Sequence, residues 1–580
     1  MSVNSLLAFL DNPGIILTLG AFLTVLAPVA LRRPIMLGVV AFSAFRLWGM
    51  EIGDSLAFTL FDLEIMPVQY DVLSRLFLVV FHIAAGLNVI YSWMVKDRSE
   101  CFAALAYPAA AMGGVLAGDW ITLFIWWELA ALTSVFLVWA PQTRESYLSG
   151  LRYMSIQIAS GVILLGGIVL VFREQDSLAI GTLSLRDGGG NFNIAALMLF
   201  IALGIKSAFP MLHNWVQDAY PKATIGGTII LSVFTTKLAV YMFARVFVGT
   251  PELIWIGAIM TIFPIFFALI ENDLRKVLTY SINNQVGFMI VGIGFGTAAS
   301  VNGAVGYAFG NIIFESLLFM SVGAAMYRTG TSKATELGGL YRTMPITLFF
   351  CLIGALSISA FPGFAGFVTK GLILDGAAEA HNLIIWLILL FASAGVLEHA
   401  GIKIPYFTFF AHDSGKRPKE APLPMLIAMG IAAFLSVVIG LYPQPLFALL
   451  PHQAHIVDYN PFTAYHFVEQ LQLLLFAVLA FALLIKFKLY PPEVPSTNLD
   501  VDWFYRIPGR AALFAIIGFV VAAWRVVWGG LQKLVGSIVE RTHRTHGPEG
   551  ALARSWPVGF MALWTAVVLG AALIVLFLNQ

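Results

Sequence analysis

The sequence predicts an all-α polytopic membrane protein with about 14–17 transmembrane helices, the upper figure counting every apolar run of about twenty residues. Three observations predict it. Only 11% of the 580 residues are charged, against about 25% in soluble domains. Mean hydropathy is +0.87. Apolar runs long enough to cross a bilayer recur from end to end, whereas the strands of a membrane β-barrel would alternate over about ten residues.

Taken in order, the first span, residues 15–31, lacks the basic start, short apolar core and small-residue cleavage site of a signal peptide, so it is expected to stay. Clear spans follow at residues 120–139, 151–172, 226–248, 303–327, 423–442 and 558–578. Alternate loops collect Arg32, Arg33, Lys96, Arg98, Arg144, Lys222, Arg275, Lys276, Arg328, Lys333, Lys416, Arg417 and Lys419. Those loops are expected to face the cytoplasm of a bacterial cell, which leaves the N-terminus on the periplasmic side of the inner membrane. Residues 533–554 break that charge pattern if both final spans cross, and an interfacial amphipathic helix is the alternative.

Connections are short, so one continuous bundle is expected. The divisions expected are 1–100, N-terminal helices; 101–250, a first repeat unit; 251–410, a second, inverted unit; and 411–580, C-terminal helices and an extension. Cys101 and Cys351 are too few for a disulfide framework and are expected to be buried packing residues. No cofactor or metal site is expected; His543 and His546 stand among arginines with no further ligands at hand.

A tetrapeptide repeats inside two apolar segments: Ser207-Ala208-Phe209-Pro210 beside Lys206, and Ser359-Ala360-Phe361-Pro362 before Lys370. The copies lie five spans apart, and an odd offset turns two related units upside down relative to each other. Proline suggests a mechanism. Pro210 has no N–H for the carbonyl of Lys206, four residues earlier, and Pro362 with Gly363 and Gly366 makes a similar interruption, so broken helices are expected near Pro210 and Pro362.

Five ionisable residues fall inside otherwise apolar spans: Glu128, Lys206, Lys237, Glu315 and Lys370. Hydrocarbon rejects such groups unless protein or water surrounds them, so they mark a proton path. Whether Glu128 and Lys206 pair decides which of them holds a proton. Lys237, Tyr241 and Arg245 share one helix face, as do Tyr307, Asn311 and Glu315. Tyr241 and Asn311 are thus possible relays, and Arg245 is expected to be a snorkelling anchor. Glu315 either handles a proton or cation or makes a structural ion pair. His82 is expected to be a hydrogen-bonded core histidine, and Arg152 a membrane-surface anchor. His213 is a possible relay to water from a loop in which Asp218 and Lys222 are solvated.

At these residues the chain resembles the antiporter-like membrane subunits shared by respiratory complex I and Mrp-type cation/proton antiporters. The resemblance is carried by Asp119-Trp120 leading to Trp127-Glu128, by Lys206 with His213-Asn214-Trp215 and Asp218-Ala219-Tyr220-Pro221, by Thr236-Lys237-Leu238-Ala239-Val240-Tyr241, by Asp273-Leu274-Arg275-Lys276, and by Gly366-Phe367-Val368-Thr369-Lys370. It implies two inverted five-helix units and protons passing between Glu128, Lys206, Lys237 and Lys370, with the glutamate–lysine pair as switch and the last lysine leading to an exit or the next subunit. It also implies other membrane subunits as partners. Two departures stand out. Asn311 and Glu315 occupy the places of a histidine and a lysine, and Gly371 that of an aspartate.

The function expected is a proton-translocating subunit of a multisubunit Mrp-like cation (Na+)/proton antiporter. The alternatives are a pumping subunit of a complex I-type NADH:quinone oxidoreductase or related redox complex, a non-pumping scaffold paralogue, and a carbon-uptake membrane subunit. The chain is not expected to be a catalyst on its own, for no nucleophile–base constellation is present, and nucleic acid is not an expected partner.

Overall fold

A computed structural model describes residues 11–457, 459–490, 494, 498–550, 552–554 and 557–579. It divides into two compact units, Met1–Asn498 and Leu499–Gln580, so the expectation of one continuous bundle holds only for the first.

In the first unit the helices run α1 (Pro13–Leu26), α2 (Val29–Trp48), α3 (Val72–Tyr91), α4 (Arg98–Leu116), α5 (Trp120–Trp139), α6 (Arg144–Gln175), α7 (Ile194–Lys206), α8 (Ile225–Val246), α9 (Pro251–Ile270), α10 (Leu274–Phe295), α11 (Ala298–Thr329), α12 (Pro345–Ile358), α13 (Ala365–Glu379), α14 (Leu383–Val396), α15 (Leu423–Leu441) and α16 (Ala464–Lys486). Two π-helical stretches, Leu397–Ile402 and Tyr406–Phe410, prolong α14. Among the described residues, twelve helices of the two units are long and apolar enough to cross a membrane; α1, α7 and α12 are shorter apolar helices.

Helix starts follow from side chains that satisfy orphan N–H groups. Asp71, Asp97, Asp119, Thr143, Asn193, Thr224, Asp273 and Thr297 each accept a backbone N–H at the first turn of the helix that follows. Helix α11 is the centre of the unit, buried almost throughout and packed on α8, α10, α12, α13 and α15. That a helix carrying Asn302, Asn311 and Glu315 is the deepest one, and not the most apolar, already places polar chemistry in the middle of the fold.

One element departs from the all-α expectation. Between α2 and α3 a hairpin forms, β1 (Ser55–Leu60) paired antiparallel with β2 (Leu63–Gln69). Its two-residue turn has Phe61 and Asp62 at φ 49° and 64°, the left-handed geometry that matches strand twist. The hairpin is tied to two helices. Met66 N–H donates to Asp119 Oδ2 at the head of α5 (2.8 Å), and Asp71, just past β2, accepts from Arg245 of α8 (2.6 Å).

The repeated tetrapeptide ends α7 and α12 in the same way. Ala208 N–H bonds Ile205 O (3.2 Å) and Phe209 N–H reaches back to Gly204 O (3.0 Å); Ala360 N–H bonds Ser357 O (3.1 Å) and Phe361 N–H reaches Leu356 O (2.9 Å). Ala208 and Ala360 both take left-handed backbone, φ 62° and 57°. This is the Schellman cap, with alanine where glycine is usual. It corrects the proline mechanism: each helix ends four residues before its proline, so Pro210 and Pro362 follow the interruption and do not cause it.

The second unit holds α17 (Arg510–His546) and α18 (Val558–Leu578), both exposed along their whole length. Residues 533–546 continue α17 without a break, so no separate amphipathic helix begins there.

Candidate functional site

Lys237, on α8, and Glu315, on α11, are brought together. Lys237 Nζ stands 3.3 Å from Glu315 Oε2 and donates to the carbonyl of Ser232 (2.8 Å); both side chains are 1% exposed. Of the roles left open for Glu315, pairing is therefore with Lys237 and not with Lys370. Asn311, one turn earlier on α11, is likewise fully buried. One turn further Tyr307 Oη donates to Gln285 Oε1 of α10, whose Nε2 donates to Asn284 Oδ1 (3.1 Å).

Glu128 and Lys206 are neighbours without being an ion pair. Lys206 Nζ donates to the carbonyl of Trp127 (3.0 Å) and lies over the indole of the same residue, 4.6 Å from the ring centre. Glu128 Oε1 makes no hydrogen bond to protein. Its carboxyl leans on α6 at Gly161, where a Cβ would run into Oε1 and stand 2.5 Å from the carboxyl carbon. The bare glycine is what gives this acid its seat.

Lys370, on α13, has no acidic partner among the described residues. Its Nζ reaches Ser393 Oγ of α14 (3.4 Å) and lies over the rings of Phe288 (4.6 Å) and Tyr307 (5.5 Å). A cation over aromatic faces is held without being neutralised. Tyr307 is thus shared between the Glu315 stripe of α11 and the terminal lysine. The two lysines flank their helix interruptions on opposite sides, Lys206 just before and Lys370 eight residues after the proline.

Other expectations resolve into ordinary contacts. Arg245 pairs with Asp71 and is no free anchor; Arg152 binds Asp218 through two nitrogens (2.7 and 2.9 Å); Lys222 pairs with Glu145. So Asp218 is paired and largely covered where solvation was expected, because α6 runs past the loop that holds it, whereas Lys222 stays exposed as expected. His213 follows the first interruption as expected, but it is 1% exposed and stands against Phe263, 4.6 Å between ring centres, so it does not open onto water. Tyr241 donates to Val115 O (2.6 Å). His82 is the core histidine expected, held by Ser43 Oγ (2.9 Å) and Leu78 O (2.7 Å). Both cysteines are free and buried.

Sequence reasoning missed the amides of α10, although Asn283-Asn284-Gln285 inside an apolar span was a visible signal. It also missed Ser393, whose part emerges only from packing, and Tyr459, whose hydroxyl lies 3.1 Å from where a Cβ on Gly371 would stand.

Residues 117–395 match the family model described as NADH:quinone oxidoreductase/Mrp antiporter, TM. Hydrogenase-4 component B of Escherichia coli is 28% identical over 69% of this chain and 66% of its own length, so the chain spans just under two thirds of that relative. One of the subunits of the Na(+)/H(+) antiporter of Bacillus subtilis is 25% identical over 60% of this chain and 73% of its own. A subunit of the membrane-bound sulfane sulfur reductase, an archaeal respiratory membrane complex, shares the fold with a TM-score of 0.68 at 22% identity, over 97% of this chain and 100% of that one. Residues 117–395, just under half of the chain, thus belong to the transmembrane family shared by NADH:quinone oxidoreductase and Mrp antiporters.

Proposed function

We propose that this chain is the proton-translocating subunit of a multisubunit Mrp-like cation/proton antiporter, and that protons move along Glu128, Lys206, Lys237, Glu315 and Lys370. One observation carries the reading: a fully buried Lys237–Glu315 pair, with Lys206 and Lys370 also buried and each held by a neutral oxygen, Trp127 O and Ser393 Oγ. A buried ion pair is a poor way to stabilise a fold, since apolar residues of the same volume do as well or better. Charges kept at membrane depth are retained for what they carry. On α6, α8 and α11, buried polar atoms without a hydrogen bond to protein, among them Gln157 Oε1, Thr236 Oγ1 and Ser316 Oγ, are places for bridging water. In this reading Glu315 restores, as an acid facing Lys237, a titratable group where Asn311 cannot serve.

The test uses inside-out membrane vesicles containing the chain in its native complex, with proton movement read by a pH-sensitive dye after a sodium pulse. Lys206→Ala and Lys237→Ala should abolish the signal while the complex still assembles. Wild-type signals in both variants would end the reading; loss of assembly with normal transport in the complexes that remain would favour a scaffold.

A second reading, a proton-pumping subunit of a redox complex, is favoured by the likeness to the sulfane sulfur reductase subunit, which extends over nearly the whole chain. Its mark would be a signal driven by an added electron donor and indifferent to sodium. The arginine- and lysine-bearing loops face the cytoplasm and the N-terminus the periplasm of the inner membrane in either case; reporter fusions to the loops at residues 141–143 and 411–422 test that orientation.

A further inference from the structure

Beyond Lys370 the structure holds a cluster of titratable side chains that the chain of buried lysines does not include. Helix α13 runs from Lys370 to its last residue, Glu379, about 14 Å along the axis, with Asp375 between them. Against this stretch pack the segment carrying His455 and Tyr459 and the first turns of α16, which carry His466 and Glu469. His466 Nε2 lies 3.6 Å from Asp375 Oδ1, and His455 Nε2 lies 3.8 Å from Glu379 Oε1. Tyr459 stands between the two imidazoles, with ring centres 6.5 Å from His455 and 6.1 Å from His466. The Nδ1 atoms of both histidines are buried and make no hydrogen bond to protein. Each imidazole therefore turns one nitrogen to a carboxylate and keeps the other uncommitted, which is how a histidine passes a proton from one side of its ring to the other.

Asp375, Tyr459, His466 and Glu469 line a cavity of about 30 Å³, room for roughly two water molecules. Its inner wall includes Gly371, directly after Lys370, and Gln470, whose Nε2 donates to the carbonyl of Ser359 at the second helix interruption (3.2 Å). Because residue 371 has no side chain, the Tyr459 hydroxyl lies against the main chain of α13 there. Exposure rises along the cluster, from 20% at His466 to 33% at Asp375 and 53% at Glu379. The cavity begins one residue past Lys370, and the cluster beyond it ends at the exposed last residue of the helix.

We propose that Asp375 and His466, with Glu469 and Tyr459 around them, form the station through which Lys370 exchanges its proton with the aqueous phase. The Lys370 ammonium gives its proton through cavity water to His466 Nδ1, and the imidazolium passes its Nε2 proton to the Asp375 carboxylate. The carboxylic acid releases that proton to water, which leaves Asp375 ionised, Lys370 as the neutral amine and His466 in its Nδ1–H tautomer. Loading of Lys370 is the same sequence reversed.

This inference rests on the proton-path reading, and the two fail separately. In the vesicle assay, run from pH 6 to pH 9, Asp375→Asn should lower the initial rate roughly tenfold or more, and Asp375→Glu should restore most of it. His466→Gln should displace the pH of half-maximal rate by about half a unit or more, which loss of packing alone would not do. If Asp375→Asn reduces the amount of complex in the membrane, Glu469→Gln, at the rim, supplies the same reading and should lower the rate. Abolished transport in Lys206→Ala, together with wild-type rates and pH profiles in Asp375→Asn, Glu469→Gln and His466→Gln, overturns the station and leaves the central path standing. Wild-type transport in Lys206→Ala overturns the path itself.

Discussion

Lys237 Nζ and Glu315 Oε2 are 3.3 Å apart in a part of the fold where neither side chain meets solvent. Removing one partner strands the other. Lys237→Met or Glu315→Met alone should each cost about 3–5 kcal/mol, and the double variant should recover most of that loss. Thermal unfolding of the four proteins in detergent completes the cycle; additive losses would mean that the pair is not coupled. Transport should be lost in all three variants, recovered stability notwithstanding.

Gly161 offers a way to move Glu128 without touching its charge. A methyl group there meets the free end of a flexible carboxyl, so Gly161→Ala should alter stability by less than about 1 kcal/mol. The glutamate must nevertheless swing away from α6. Proton transport should fall while assembly and unfolding temperature stay near wild type, and unchanged transport would show that the seat of Glu128 is immaterial.

The alanines at the two helix caps are held in a backbone region that costs an L residue about 1–2 kcal/mol. Glycine removes that cost but loses more chain entropy on folding, leaving a net gain of roughly 0.5–1 kcal/mol. Ala208→Gly and Ala360→Gly should therefore each raise the unfolding temperature, and Ala360→Val should lower it. Equal effects at the two caps would support the view that the tetrapeptides are copies of one element.

In the loop after α14, Asp413 accepts two hydrogen bonds from Arg417 (2.8 and 2.6 Å) and one from Gly415 N–H (2.9 Å). The guanidinium holds its carboxyl well below the usual carboxylate range. A depressed folded-state pKa adds stability above the unfolded value of about 4 and loses it as pH falls toward the folded one. Cleavage of this loop by an acid-active protease should accelerate below about pH 4, and at neutral pH a neutral protease should cut Asp413→Asn faster than the wild type.

The spans were legible because lipid imposes length and apolarity on every crossing helix, and the intramembrane charges were legible because hydrocarbon makes them conspicuous. Pairing was not. That Glu315 meets Lys237, and that Lys206 settles on Trp127 O, depends on how α5, α7, α8 and α11 pack, which no spacing along one helix encodes. The tetrapeptide marked the right places for the wrong reason: the cap is made by an alanine turn, and proline was the louder letter. The hairpin was overlooked because its turn, Phe61-Asp62, lacks the glycine that announces such turns.

That hairpin is bonded to the head of α5 through Asp119, nine residues before Glu128, and its strand leads directly into Asp71, which grips α8 two turns from Lys237. The ribbon therefore joins an exposed tip, with Phe61 at its end, to the two helices that carry Glu128 and Lys237. An antibody fragment raised against that tip is expected to slow transport in the vesicle assay without ever entering the bilayer.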